Sequence, residues 1–446
     1  MSNSSTISKL AALITSTSSD RIGDKARNAA KLAVLDVIGC AVSGGSEPTP
    51  LAFSRWALSS FGAGPCTVWF SGKSSHLLGA VTANSAAGSA MDGDDTHWPS
   101  WMHSGSAIVP AAIAAAECLG KSGTELLEAI VVGYEVTTRI AQSVDWPTQH
   151  QIATGHWCGF GAAATMGRLR GASAAELARA FSVVAAHRPY VYSRSDNLNL
   201  NGIKEGIPWG TVVGISSLDL AINGLEGPTH ALDDSLFDTE VIVDESFESW
   251  NIENVSIKPF ATCAWPHAPA EALNRIMVQR NLKATDIAEV VVTTFPQALT
   301  YINNEADPKT LEAAQYNIPF NVAVMAFDGP NGLLPLRTAT LHRPELVDFA
   351  NRVRLVGSAD YAAELPAKHR VTVKVRARQG EFEQHLDTET NPKDFATLLP
   401  KFNALTADGW SDDRRERVLK LVNQLEGSVG ELLNELKAPL KNARTK

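Results

Sequence analysis

The chain has 446 residues, of which 44% are apolar and 20% charged, a globular composition with enough material for two domains. A formal net charge of −9 argues against a nucleic-acid partner, which would carry a basic face, and no run reaches the roughly 18 apolar residues of a membrane span. The N-terminus, MSNSSTISKLAALITSTSSDR, lacks the basic, apolar and cleavage regions of a secretory signal, so a cytoplasmic protein is expected. The five cysteines, Cys40, Cys66, Cys118, Cys158 and Cys263, are scattered without a C-x-x-C pair and read as reduced thiols rather than a disulfide framework or zinc site.

Residues 22 to 44 place apolar side chains at helical spacing and end in Gly-rich sequence, which predicts a helix with its C-cap. The same texture runs with little interruption to about residue 225, in segments such as VPAAIAAAECLGKSG and GFGAAATMGRLRGA. Helices so rich in small residues pack closely, so residues 1–260 read as one large all-helical domain. From about residue 285 the texture changes to β-branched alternation, IAEVVVTTF and HRVTVKVRARQGEFEQHL, the latter a hairpin turning at Gln379-Gly380. Helical QYNIPFNVAVMAFDG lies between them, so residues 261–394 are expected to form a smaller α+β domain. From about 395 to 446 an amphipathic pattern returns, and its Leu419, Val422 and Leu425 face is expected to dock back on the helical domain. The fold class is therefore mainly α with a smaller α+β domain.

Several motifs fail on inspection. In FSGKSS the position five before Gly72 is Thr67 rather than glycine, and no strand is expected to lead into it, so it is not a P-loop. GFGAAA at 159–164 lies in a helical region rather than after a strand. No G-x-S-x-G elbow is present, and His97 and His103 have no third partner at metal-ligand spacing.

The densest polar cluster holds Asp92, Asp94, Asp95, Thr96, His97 and His103 between two small-residue helices. Charged groups in such a place must be paired, hydrated or functional. One reading is an Asp-rich loop capping the next helix. The other is a carboxylate–imidazole pair for proton transfer, with Asp92 orienting His103.

This cluster, Ala90 to His97 followed by His103-Ser104-Gly105-Ser106 and Val109-Pro110-Ala111-Ala112, resembles the signature of the MmgE/PrpD family. LAVLDVIGCAVSG, VVGYEV, KPFATCAWPHAPAEAL and QYNIPFNVAVMAFDG extend the resemblance over nearly the whole chain. That family includes 2-methylcitrate dehydratase, cis-aconitate decarboxylase and iminodisuccinate epimerase. The resemblance implies a helical domain with an α+β lid, a homodimer, a cleft between domains, and catalysis without metal or organic cofactor on a small carboxylate substrate. It assigns Asp92, Thr96 and His103 to acid–base and substrate contacts, Lys204 to neutralising a carboxylate, and His267 or His156 to a second proton transfer. The spacing from Asp95 to His103 is most similar to that of fungal cis-aconitate decarboxylases.

The chain also departs from the family. Gly155-His156-Trp157 stands where relatives read Gly-Trp-His, and Trp157 cannot shuttle a proton as imidazole does. The K-x-x-H-x-G loop is here Lys204-Glu205-Gly206-Ile207-Pro208-Trp209-Gly210, less favourable for a tricarboxylate. Phe320 is expected in the place of a tyrosine. Arg188 and Arg194 are candidates for a carboxylate contact, or else members of a solvated loop. Trp157, Trp209 and Phe320 are accordingly expected to shape a substrate less charged or more aromatic than citrate derivatives. A dehydratase-type lyase is the first expectation, a decarboxylase or an epimerase on the same site the alternatives, and a non-catalytic ligand-binding relative the reading outside the enzymes.

Overall fold

The computed structural model describes residues 4–145, 153–191, 204–246, 248–387 and 394–441. Serine caps start several of its helices. Ser18 accepts from the Arg21 amide ahead of the helix Ser19–Gly44. Ser122 with Glu125 and Ser173 with Glu176 close capping boxes before Gly123–Gln142 and Ala174–His187, each satisfying two backbone donors that a helix start otherwise leaves unpaired.

These helices, with Leu77–Ser89, Gly105–Leu119, Thr154–Arg170 and Ile207–Ile222, bury the larger of two apolar cores. The closest crossing runs through glycines. A Cβ on Gly210 would stand 2.2 Å from the Gly155 carbonyl oxygen, and one on Gly214 equally close to that of Gly159. No side chain fits there, so the Gly-rich stretch at 159–164 is a buried helix contact. This crossing also presses the turn Lys204–Gly206 against the start of Thr154–Arg170.

The helical texture is broken once where none was expected. Cys66–Val68 pairs antiparallel with Lys73–Ser75, so a short strand does lead into FSGKSS. The segment after Gly72 is the returning strand rather than a helix start, which still excludes a phosphate-binding loop.

The second core forms around a four-stranded sheet in the order Val353–Gly357, Ile287–Thr294, Val371–Ala377, Gly380–Leu386. The first pair is parallel and the others antiparallel. Ala377 pairs with Gly380, so the hairpin turns at Arg378-Gln379, one residue earlier than expected, and Gly380 opens the return strand at φ +136°. Val290, Val292, Val373 and Val375 face the helices His267–Arg280 and Ile318–Asp328. Each such buried side chain stabilises the fold by about 1.5–3 kcal/mol.

The chain then returns to the helical core through Phe395–Thr406, Asp412–Asn423 and Leu425–Lys437. Leu398, Phe402, Trp410, Val418 and Val422 join that core, while Leu405 touches the second. Lys401 on the first of these helices pairs with buried Asp36 at 2.6 Å and donates to the Gly93 carbonyl. The molecule is mainly α with a smaller α+β part. Among the described residues no single helix is long and apolar enough to cross a membrane; the pair Ser19–Gly44 and Pro48–Ser60 would be so only together, and it is bent by 98°.

Candidate active site

Asp92 follows the helix Leu77–Ser89 in a left-handed conformation, φ +49°. Four residues on, Thr96 exchanges backbone hydrogen bonds with Ser256, at 2.9 and 2.8 Å. That bridge carries Lys258 to Asp92. Lys258 Nζ donates to Asp92 Oδ1 at 2.7 Å and to its carbonyl at 3.0 Å. Lys204 Nζ lies 3.8 Å from the same carboxylate oxygen. Burial alone would raise the Asp92 carboxyl, but Lys204 and Lys258 outweigh it and hold it well below the carboxylate range. Burial likewise opposes charge on Lys258, and Asp92 and Asp94 overcome it, lifting the ammonium above its ordinary value. Buried charges persist only when paired in this way.

His103 is held differently from the sequence expectation. Its Nδ1 donates to the Asp95 carbonyl at 2.7 Å, with Thr96 Oγ1 at 3.2 Å. A carbonyl only accepts, which assigns the proton to Nδ1 and leaves Nε2 free to receive one. Asp92 therefore does not orient His103; the Asp95 backbone does, and Asp92 anchors the lysines. The capping reading holds for Asp95, whose Oδ1 accepts from the Gly105 amide and whose Oδ2 accepts from Tyr134.

Nε2 of His103 faces Glu205 Oε1 at 3.8 Å. Glu205 is fixed from both sides: Oε2 accepts from the Thr154 amide at 2.9 Å, and Oε1 from the Tyr316 hydroxyl at 3.2 Å. Lys204, Glu205 and Gly206 have φ of +36°, +54° and +68°, three consecutive left-handed residues. The non-glycine pair costs on the order of 1–3 kcal/mol each. The Lys204 amide donates to Glu312 Oε1 at 2.7 Å, and its ammonium lies 3.5 Å from Gln315 Oε1 and 5.1 Å from the Tyr316 ring. One strained turn thus supplies a cation to Asp92 and an anion to His103.

His267 lines a cleft of about 210 Å³ between the two domains, with Thr96, Ser256 and Lys258. Its Nε2 meets Thr262 Oγ1 at 3.0 Å, and burial and Lys258 lower it to about 3, so it is neutral at pH 7. His156 donates from Nδ1 to the Pro189 carbonyl at 2.8 Å, and burial and Arg188 lower it to about 4. Among the described residues, its contacts are with this wall and not with Asp92, His103 or Lys204. Among the described residues no three of His, Cys, Asp and Glu converge on a metal position.

The expected substrate-binding aromatics sit elsewhere. Trp157 is buried in the helical core with its edge to Phe237, and the Arg188 guanidinium lies 4.8 Å over its ring. Trp209 is 47% exposed on the outer face, against Trp56 and Phe53, because its neighbour Gly210 is the residue turned inward at the helix crossing. Phe320 is fully buried in the second core. The helix starts at Ile318, so Phe320 turns into the apolar interior, and Tyr316 before it holds the position beside Lys204. Arg194 lies outside the described residues. Sequence reasoning missed Lys258, Glu205 and Tyr316 as site residues. The K-P-x-x-x-C-x-x-x-H stretch contained the first, and the loop Lys204-Glu205 the second.

Two family models cover the chain: the MmgE/PrpD N-terminal domain matches residues 8–242 and the MmgE/PrpD C-terminal domain residues 260–426. The chain belongs to the MmgE/PrpD family. Its similarity extends to two sequences of cis-aconitate decarboxylase from Aspergillus terreus, one of them from strain NIH 2624 / FGSC A1156. Each is 23% identical over 455 residues, spanning 93% of this chain and 92% of the relative. In this MmgE/PrpD chain Lys258 lies in the stretch between the two matches, residues 243–259, and pairs with Asp92 of the first. The assembled groups suit proton transfer beside a carboxylate: lysines where negative charge would collect, and an imidazole nitrogen open to a proton.

Proposed function

We propose that the protein is a lyase acting beside a carboxylate of a small organic acid, dehydratase-like, through a carbanion-like centre. The observation that carries this reading is the convergence of His103 Nε2, Glu205 and the Tyr316 hydroxyl next to Lys204 and Lys258. Membership of the MmgE/PrpD family and the name of the two relatives support the lyase class.

In loss of water, the substrate carboxylate lies towards the lysines, which stabilise charge gathering on its oxygens. His103 Nε2 takes the proton from the neighbouring carbon, the electron pair forms the new double bond, and the hydroxyl leaves as water with the Tyr316 hydroxyl proton, which the proton gained by His103 then replaces. A proton acceptor, His103 Nε2, and a proton donor, the Tyr316 hydroxyl, that both face the Glu205 carboxylate are what favour this reading. Loss of carbon dioxide is the second reading, favoured by the relatives' name. There the electron pair of the broken C–C bond stays on carbon and takes a proton from His103 in its imidazolium form, Nε2 having first gained that proton from solvent.

Proton and carbon NMR of the EDTA-treated protein in D2O with a panel of hydroxy and unsaturated acids tests both. A new vinyl signal without bicarbonate supports dehydration, and bicarbonate with deuterium at the vacated carbon supports decarboxylation. Conversion or exchange that survives His103→Ala would remove His103 from the chemistry and this reading with it.

A further inference from the structure

We infer that Glu205 restricts this site to acids carrying a single carboxylate, a conclusion that rests on the small-acid reading above. Lys204, next in sequence to Glu205, and Lys258 both already face Asp92. Glu205 adds a second carboxylate, and Glu312 approaches the Lys204 backbone as a third. The two ammonium charges are thus matched before any substrate binds. One incoming carboxylate can be shared between the lysines, but further carboxylates meet Asp92 and Glu205 within a few ångströms.

Glu205 cannot swing away to relieve this. Both its oxygens are engaged, by the Thr154 amide and the Tyr316 hydroxyl. Its backbone is locked between Lys204 and Gly206 in a left-handed run, and the Glu205 carbonyl is pressed against Gly155. Because Oε1 faces the open nitrogen of His103 at 3.8 Å, a second substrate carboxylate at that place meets a fixed anion. Like charges a few ångströms apart in a largely buried site repel strongly enough to cost about tenfold or more in affinity.

The test is calorimetric titration of the full-length protein with butyrate, succinate and tricarballylate, which add carboxylates to similar carbon chains. The wild type binds butyrate tightest and tricarballylate weakest. Glu205→Gln, which keeps an acceptor for the Thr154 amide, tightens tricarballylate by about tenfold or more relative to butyrate, and Glu205→Asp retains the wild-type order. Salt supplies a second measurement that needs no variant. Screening relieves repulsion, so tricarballylate binding to the wild type improves as sodium chloride rises. Tightest binding of tricarballylate by the wild type, an unchanged order in Glu205→Gln, or weakening of tricarballylate by salt overturns the inference while leaving the small-acid reading intact. No binding of any of the three acids to either protein overturns the small-acid reading itself.

Discussion

Trp101 lies flat on His369, with ring centroids 4.7 Å apart and planes at 22°. Trp98 meets the same imidazole edge-on at 4.2 Å, and Phe295 stands beside it at 6.1 Å. Both tryptophans belong to a hairpin closed by the His97–Met102 bridge, whose two feet are Thr96 and His103. His369 stands two residues before the first residue of the strand Val371–Ala377. The hairpin therefore ties His103 to the seating of the α+β part.

Trimming the half-buried member of that clamp separates positioning from folding. Trp98→Ala leaves Trp101 stacked on His369 but frees the hairpin tip. The expected result is a fall in kcat of about tenfold or more with little change in KM, because small misplacements of a reacting group are costly. Steady-state kinetics beside a thermal melt check it. Trp101→Ala, which empties a core position, loses about 3–5 kcal/mol of stability as well.

Acid should loosen the clamp. Burial lowers His369 from 6.5 to about 4, so between these values the unfolded chain binds a proton that the folded chain refuses. Stability from the neutral ring is thus complete above about pH 6.5 and declines as the pH falls towards 4, by about 3 kcal/mol in all. His369→Phe keeps an aromatic face for Trp101 and removes the titration. Urea unfolding from pH 7 to pH 4.5 is expected to show a shallower loss in the variant; parallel curves would count against this account of His369.

Much of this architecture was legible in the sequence because it depends on local pattern. Small-residue helices, the β-branched strands and the returning amphipathic segment announce themselves by spacing. The Asp92–His103 cluster did so by density. What stayed hidden depends on long-range contact or on rotation within one turn. Asp92 and Lys258 are 166 residues apart and meet through the Thr96–Ser256 bridge. Tyr316 and Phe320 are four residues apart, and only the start of the helix at Ile318 decides which faces Lys204 and which the core. Glu205 looked like a loss of the family's loop histidine, yet its carboxylate faces the open nitrogen of His103.

The glycine crossing makes the strained turn sensitive to remote change. In Gly210→Ala the new methyl would meet the Gly155 carbonyl at 2.2 Å and Cys158 Sγ at 2.8 Å. Helix Ile207–Ile222 must then move, and with it Lys204 and Glu205 just ahead of its first turn. A stability loss of about 1–3 kcal/mol or more is expected, together with loss of activity. Gly224→Ala, at the far end of the same helix with open space around it, also suffers its positive φ but leaves the turn in place. Comparing activity per folded molecule in the two variants distinguishes displacement of the site from general destabilisation.

The Asp92–Lys258 pair also carries a large single-residue effect. Lys258→Met removes the partner at 2.7 Å and leaves a buried carboxylate with Lys204 at 3.8 Å. Breaking a buried pair from one side costs about 3–5 kcal/mol, whereas replacing both partners is far milder. Adding Asp92→Asn to Lys258→Met should therefore recover most of the loss, since asparagine tolerates the left-handed backbone at position 92. Acid sensitivity reports the same physics. With its folded carboxyl held well below the ordinary 3.8, wild-type Asp92 contributes stability that is complete above about pH 4 and is lost as the pH falls further. In Lys258→Met burial gains the upper hand, the carboxyl takes up its proton more readily, and that acid-dependent loss shrinks. Urea unfolding of the single and double variants at pH 7 and pH 3.5 measures both effects, and a single variant as stable as the wild type at pH 7 would refute the pairing.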